Sequence, residues 1–369
     1  MKNKEMKIDA ETLRIWLEEK KPVFVLDIRP KEQREEWQIP DSHYLDAYKR
    51  LNEGDKSVLD EIGIPDNSKV VTVCAAGRTS QIASDALREK GIDAYSLQGG
   101  MKAWSGAWNV AQKQFSDFEV LQVRRTGKGC LSYIIFSNNE AIIIDASIPP
   151  QIYEQLINQY KLSVRYVIET HIHADHLSRS KQVADLFKVP LFLPGPNKVQ
   201  FPHNPIIEDT RFKIGAVTLK PLHTPGHTLE SYSFYIENVI VITGDTLFTN
   251  GVGRPDLKAS IEESRIKAGL LYHSLRKLLS LPDNVLILPA HINKPVDFDG
   301  VMISTTIGEA KKNIALLSSS ENDFINGLLQ KIPPTPANYL SIVEKNLAGE
   351  FSNNESFELE AGANRCAVS

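Results

Sequence analysis

The run His171-Ile172-His173-Ala174-Asp175-His176 puts three imidazoles and a carboxylate into one short stretch of chain. Such groups hold zinc, iron or manganese, and a set without thiolate is unlike a structural cysteine-zinc site. The chain has nine histidines, and all but His43 lie between residues 171 and 291, which argues against scattered core or surface histidines. His227 sits in the turn Thr224-Pro225-Gly226-His227-Thr228, while Asp245 and His291 directly follow apolar runs at 239–243 and 285–288. Ligand-type side chains at several strand ends converge on one sheet edge, where open α/β folds place their sites. His203, His223 and His273 have no partner pattern and read as structural.

A second chemistry is written in Cys74-Ala75-Ala76-Gly77-Arg78-Thr79-Ser80, between an apolar run at 69–73 and a helical pattern at 80–90. In that position loop N–H groups and the positive end of the helix face the sulfur, favouring a thiolate and then a persulfide. Small residues let the backbone curl closely, and Arg78 adds positive charge for an anionic sulfur donor. Cys130 opens a β-run and reads as core, whereas Cys366 in the tail is unassigned.

The elements that must position these groups fall into two textures. Asp9 is a helix N-cap before an acidic first turn, and β-like runs at 23–26, 69–73 and 94–97 are separated by helical stretches, which predicts a small parallel α/β domain. The polar, aperiodic segment 109–118 is the expected linker, giving domains at 1–110 and 111–369. Beyond it, short strands at 131–136, 141–144, 165–168, 216–219, 239–242 and 285–288 with helices between some of them predict an α/β sandwich. The residues after Glu350 read as a tail or an added strand.

At 369 residues the chain exceeds one ordinary core, so two domains are expected. The near-balance of 42 basic and 46 acidic residues, net charge −4, provides no stripe for a phosphate backbone, so nucleic acid is an unexpected partner. No apolar stretch has the length of a leader or a membrane span, so no membrane association is expected. Three widely spaced cysteines argue against a disulfide framework and for a reducing, cytoplasmic compartment.

The cluster at 171–176 with His227, Asp245 and His291 resembles the metal-binding motifs of the metallo-β-lactamase superfamily over roughly residues 118–369. Within it, Gly244-Asp245-Thr246-Leu247-Phe248, Gly251-Val252-Gly253-Arg254-Pro255-Asp256-Leu257 and Ser304-Thr305-Thr306-Ile307-Gly308-Glu309 resemble the persulfide dioxygenase branch. That resemblance implies an αββα sandwich and one iron(II) held by His171, His227 and Asp245, with three positions open for a thiol persulfide and dioxygen. His173, Asp175, His176 and His291 would then hold ligands and water by hydrogen bonds, with Arg254 and Asp256 toward the substrate. The same side chains also make a dinuclear zinc set like that of glyoxalase II, which hydrolyses thioesters, and ligand count leaves the two open. The chain departs from stand-alone dioxygenases at Ile292-Asn293, where they often have Asp-Tyr.

The cysteine loop, with Leu26-Asp27-Ile28-Arg29 and Leu97-Gln98-Gly99-Gly100-Met101-Lys102-Ala103-Trp104, resembles single-domain rhodaneses over about residues 7–108. This implies a doubly wound parallel domain in which Cys74 is the sulfur-carrying nucleophile and Asp27 and Arg29 support the fold. The partners implied are small molecules: a persulfide of glutathione or a similar thiol, thiosulfate or sulfite, and dioxygen. The assembly is left open, a homodimer included.

Overall fold

A computed structural model describes residues 6–195, 198–336, 338–360 and 364–368. Near the amino terminus a five-stranded sheet has Lys69–Val73 at its centre, flanked by Val23–Asp27 and Ala94–Leu97, with Lys7–Ile8 and His43–Tyr44 at the edges. All its pairings are parallel. Alternate side chains explain why its central strands are apolar throughout: Phe24, Leu26 and Val70 pack on one face, Val25, Val71 and Val73 on the other. Asp27 and Arg29 form a buried two-pronged ion pair, at 2.9 and 2.7 Å, behind the strand ends.

The rest of the chain builds two facing sheets of seven and six strands. Strand pleating sorts the apolar residues: Val120, Tyr133, Ile135, Ile142 and Ile144 point between the sheets toward Phe234 and Ile242. Leu121, Ile134 and Ile143 point outward, beneath the helices Pro150–Gln159 and Ser180–Phe187. The helix Ile261–Leu279 covers the opposite outer face through Ala268, Leu271, Leu275 and Leu278. This is the expected four-layer sandwich. Among the described residues, no helix is long and apolar enough to cross a membrane.

One expectation is corrected here, and the added strand expected after Glu350 is present. The segment anticipated as a linker contains a strand, Asn109–Gln114, paired antiparallel with Glu119–Arg125 at the sheet edge. Its polar residues Gln112, Lys113 and Gln114 are exposed, so the backbone ladder holds it without an apolar period. The segment after Glu350 forms a helix, Asn353–Leu359, and then a strand, Ala367–Val368, that pairs with Val252–Gly253 beside the ligand-rich edge.

The two parts of the chain touch through side chains bonded to backbone carbonyls. Trp37 Nε1 donates to the Thr126 carbonyl at 3.2 Å and Arg125 Nε to the Ser105 carbonyl at 2.8 Å. Gly127 makes this approach possible, because a Cβ there would lie 1.8 Å from the Trp104 carbonyl oxygen.

Candidate metal centre and sulfur-transfer loop

Three residues on separate elements present ligand atoms within 4.8 Å of one another: His171 after the strand Ser163–Ile168, His227 in the Pro-Gly turn, and Asp245 after the strand Ile240–Gly244. His171 Nε2 and His227 Nε2 lie 3.7 and 3.4 Å from Asp245 Oδ2. The rest of each side chain is fixed from behind. The Thr170 hydroxyl donates to Asp145 Oδ2 at 2.8 Å, so its oxygen accepts the His171 Nδ1–H at 2.9 Å. His227 Nδ1–H donates to the Arg254 carbonyl at 2.8 Å, and His291 Nδ1–H donates to Asp245 Oδ1 at 2.5 Å.

Each bond dictates a tautomer: with Nδ1 donating, His171 and His227 turn the Nε2 lone pair inward. Burial holds both rings below the usual histidine range, which keeps that lone pair available. Burial opposes ionisation of Asp245, but the His291 and His171 rings outweigh it and hold the carboxylate below its usual range. His171 Nε2 and Asp245 Oδ2 are buried without hydrogen-bond partners. Orphaned buried lone pairs facing each other are costly unless a cation satisfies them, so the donor set fits a metal ion.

A second group, Asp175, His176 and His291, also converges within 4.8 Å, and Cys130 completes it. His291 Nε2 lies 2.8 Å from Asp175 Oδ2 but off hydrogen-bond alignment, so it is without an aligned partner. Burial pushes the Cys130 thiol up, and the His176 ring pulls it down further, to about 7. Cys130 is therefore core by burial but also faces ligands, with Sγ 3.7 Å from Asp175 Oδ2. His173 lies between the two groups, its Nε2 3.3 Å from Asp145 Oδ1 and its ring centroid 4.2 Å from those of His171 and His176.

Arg254 and Asp256, expected toward the substrate, are paired with each other. Arg254 is wholly buried, ion-paired to Asp256 at 2.7 Å, and donates to the carbonyls of Pro334 and Arg365. A guanidinium so occupied is a strut, holding the turn whose carbonyl orients His227. A cavity of about 830 Å³ instead opens beside His227, lined by Lys198, Lys258, Lys267, Glu230 and Glu263 among apolar residues that include Ile172 and Leu257. His223 also lines it while its Nε2 meets the Leu229 carbonyl at 3.0 Å. His203 is bonded to the Phe201 carbonyl, and His273, 66% exposed, pairs with Glu321.

In the other domain Cys74 ends the central strand and its loop leads into the helix Thr79–Glu89. Gly77 N–H donates to Sγ at 3.1 Å, and the thiol reaches Ser80 Oγ at 3.4 Å. Gly77 has φ +84°, and a Cβ on Gly100 would meet the Cys74 carbonyl oxygen at 2.1 Å, so both glycines are required for the curl. Arg78 is exposed at the loop tip. Sequence reasoning missed Asp145, Thr170, the ligand-facing side of Cys130, and Cys366; an Asp beside a strand end and a Thr before the first histidine were the available signals.

Comparison with known proteins agrees with this architecture. Residues 125–291 match the metallo-beta-lactamase superfamily and residues 9–107 the rhodanese-like domain. The mitochondrial persulfide dioxygenase ETHE1 of Bos taurus is 32% identical over 193 residues, 50% of this chain and 69% of that one. Glyoxylase B2 of Dictyostelium discoideum is 31% identical over 175 residues, 42% of this chain and 58% of that one. The crystal structure of ETHE1 from Myxococcus xanthus superimposes with a TM-score of 0.53 at 25% identity, covering 65% of this chain and 99% of that one. The chain belongs to the metallo-β-lactamase superfamily and carries a rhodanese-like domain ahead of that fold.

Proposed function

We propose that this chain oxidises a thiol persulfide with dioxygen to sulfite and thiol at one iron(II) held by His171, His227 and Asp245, and that Cys74 moves sulfane sulfur between thiosulfate and a thiol. The observation that carries this reading is the tripod: Nε2, Nε2 and Oδ2 face one another while hydrogen bonds from behind fix all three side chains. Two imidazoles and a carboxylate are the donor set of non-haem iron oxygenases. The bovine and Myxococcus relatives support the same choice. Iron, when bound, supplies the redox chemistry of dioxygen, which side chains lack.

The overall change is persulfide plus dioxygen plus water to thiol plus sulfite plus two protons; the outer sulfur is oxidised and dioxygen reduced. The cavity beside His227 brings the persulfide to the centre. Its lysines and glutamates suit a peptide thiol with carboxylates and an ammonium, such as glutathione, and Ile172 and Leu257 exclude water. On the other domain, Cys74 Sγ attacks the outer sulfur of thiosulfate and sulfite leaves with the bonding pair. The Gly77 N–H steadies the charge on Sγ, and an incoming thiol then takes the sulfur from Cys74.

A second reading, a dinuclear zinc thioester hydrolase, is favoured by the convergence of Asp175, His176 and His291 and by the Dictyostelium relative. Metal analysis with oxygen uptake separates the two. One iron per chain with oxygen uptake on glutathione persulfide is expected; two zinc ions with thioester hydrolysis and no oxygen uptake would overturn the proposal.

A further inference from the structure

Resting on the metal-centre reading above, we propose that Cys366 is a protein ligand of that centre, its thiolate delivered by the carboxyl-terminal strand beside Asp245 and His291. Cys366, Asp245 and His291 present ligand atoms within 4.8 Å of one another. That is the span across a single cation with bonds of about 2.0–2.3 Å. Both residues that flank the thiol carry a buried atom without a hydrogen-bond partner, Asp245 Oδ2 and His291 Nε2, and each residue is only 2% exposed. Asp245 also belongs to the tripod, so the thiol adjoins that centre through a shared carboxylate.

The backbone around Cys366 is held as a ligand-bearing segment has to be. Val368 and Ala367 pair with Val252 and Gly253. The Cys366 carbonyl accepts from Arg254 N–H at 3.0 Å, and its own N–H donates to Asn364 Oδ1 at 2.8 Å. Asn364 Nδ2 donates to Asp175 Oδ2 at 2.7 Å, so the tail reaches both ligand groups. Arg365 pairs outward with Glu36 of the rhodanese-like domain, which fixes the strand on its other side. Arg254 thus has one role toward His227 through its carbonyl and another toward Cys366 through its N–H. A soft thiolate added to imidazoles and carboxylate favours iron or zinc over magnesium or calcium.

The test loads metal-free, full-length protein with cobalt(II). Ligand-field bands report a bound ion, and near-ultraviolet sulfur-to-cobalt charge transfer reports a thiolate on it. The chain has only three cysteines, so Cys366 is the sole thiol in the double variant Cys74→Ser, Cys130→Ser. That variant should keep the charge-transfer band at nearly full intensity. The single variant Cys366→Ser should lose it while retaining the ligand-field bands. Cadmium NMR of the double variant, which keeps Cys366, repeats the measurement should Cys366→Ser fail to fold; a resonance in the nitrogen- and oxygen-only range would overturn the proposal. Bound cobalt without charge transfer, or a band removed by Cys130→Ser and not by Cys366→Ser, overturns this inference alone. Failure of the wild-type chain to bind cobalt at all overturns the metal-centre reading and this inference with it.

Discussion

Cys74 is held by what lies next to it: an N–H three residues on, a hydroxyl six residues on, and a helix that begins within the same loop. The ligand-rich edge draws instead on side chains from residue 130 to residue 366, and each of the three tripod side chains depends on a partner bonded behind it. A centre made of local backbone survives changes in distant side chains, whereas a centre made of oriented side chains fails when any strut is lost. The contrast also separates the reactions, one needing a polarised sulfur and the other several lone pairs on one point.

The sharpest way to break this comparison is a reciprocal pair of variants. Cys74→Ser should abolish thiosulfate-to-thiol sulfur transfer, because a serine hydroxyl cannot carry sulfur, yet leave oxygen uptake with supplied glutathione persulfide nearly intact. Asp245→Ala should do the reverse, lowering metal content and oxygen uptake by at least about a hundredfold while sulfur transfer continues. Loss of oxygen uptake in folded, metal-loaded Cys74→Ser would mean that sulfur must pass through Cys74 first. The two centres would then not be independent.

A smaller effect is expected one bond behind the metal centre. Thr170→Val keeps the side-chain shape but removes the hydroxyl that joins His171 Nδ1 to Asp145. Metal affinity should fall by about 10–100-fold, the usual penalty for an orienting partner, measured by competition with a chelator. Unchanged affinity would show that the sequence around His171 orients the ring without Thr170.

The two regions were also unequally legible. The cysteine loop could be read almost whole, since the strand, the small residues and the helix start are consecutive, and the structure puts the Gly77 N–H on Sγ. The cluster at 171–176, with His227, Asp245 and His291, was legible as ligand types after strands. The fold class followed from strand texture, but the strand Asn109–Gln114 did not, because backbone pairing and not apolar spacing holds it. The resemblance put Arg254 toward the substrate, and only the tertiary structure shows its buried pair with Asp256. Cys366 could not be placed from sequence, since a thiol 75 residues beyond His291 reaches the centre only through pairing of its strand with Val252–Gly253.

The smallest expected effect tests whether the cavity, rather than the centre, recognises the thiol carrier. Lys267 is half-buried in the cavity wall, so its charge is screened less than those of the exposed Lys198 and Lys258. Lys267→Met keeps the stem and removes the cation. One partly screened ion pair is worth about 1 kcal/mol, so KM for glutathione persulfide should rise roughly fivefold with kcat nearly unchanged. The rise should shrink at high salt, because salt weakens the same contact in the unaltered protein. An equal fall in kcat and kcat/KM would instead place Lys267 at the reacting sulfur, and substrate recognition would then belong to the metal centre itself.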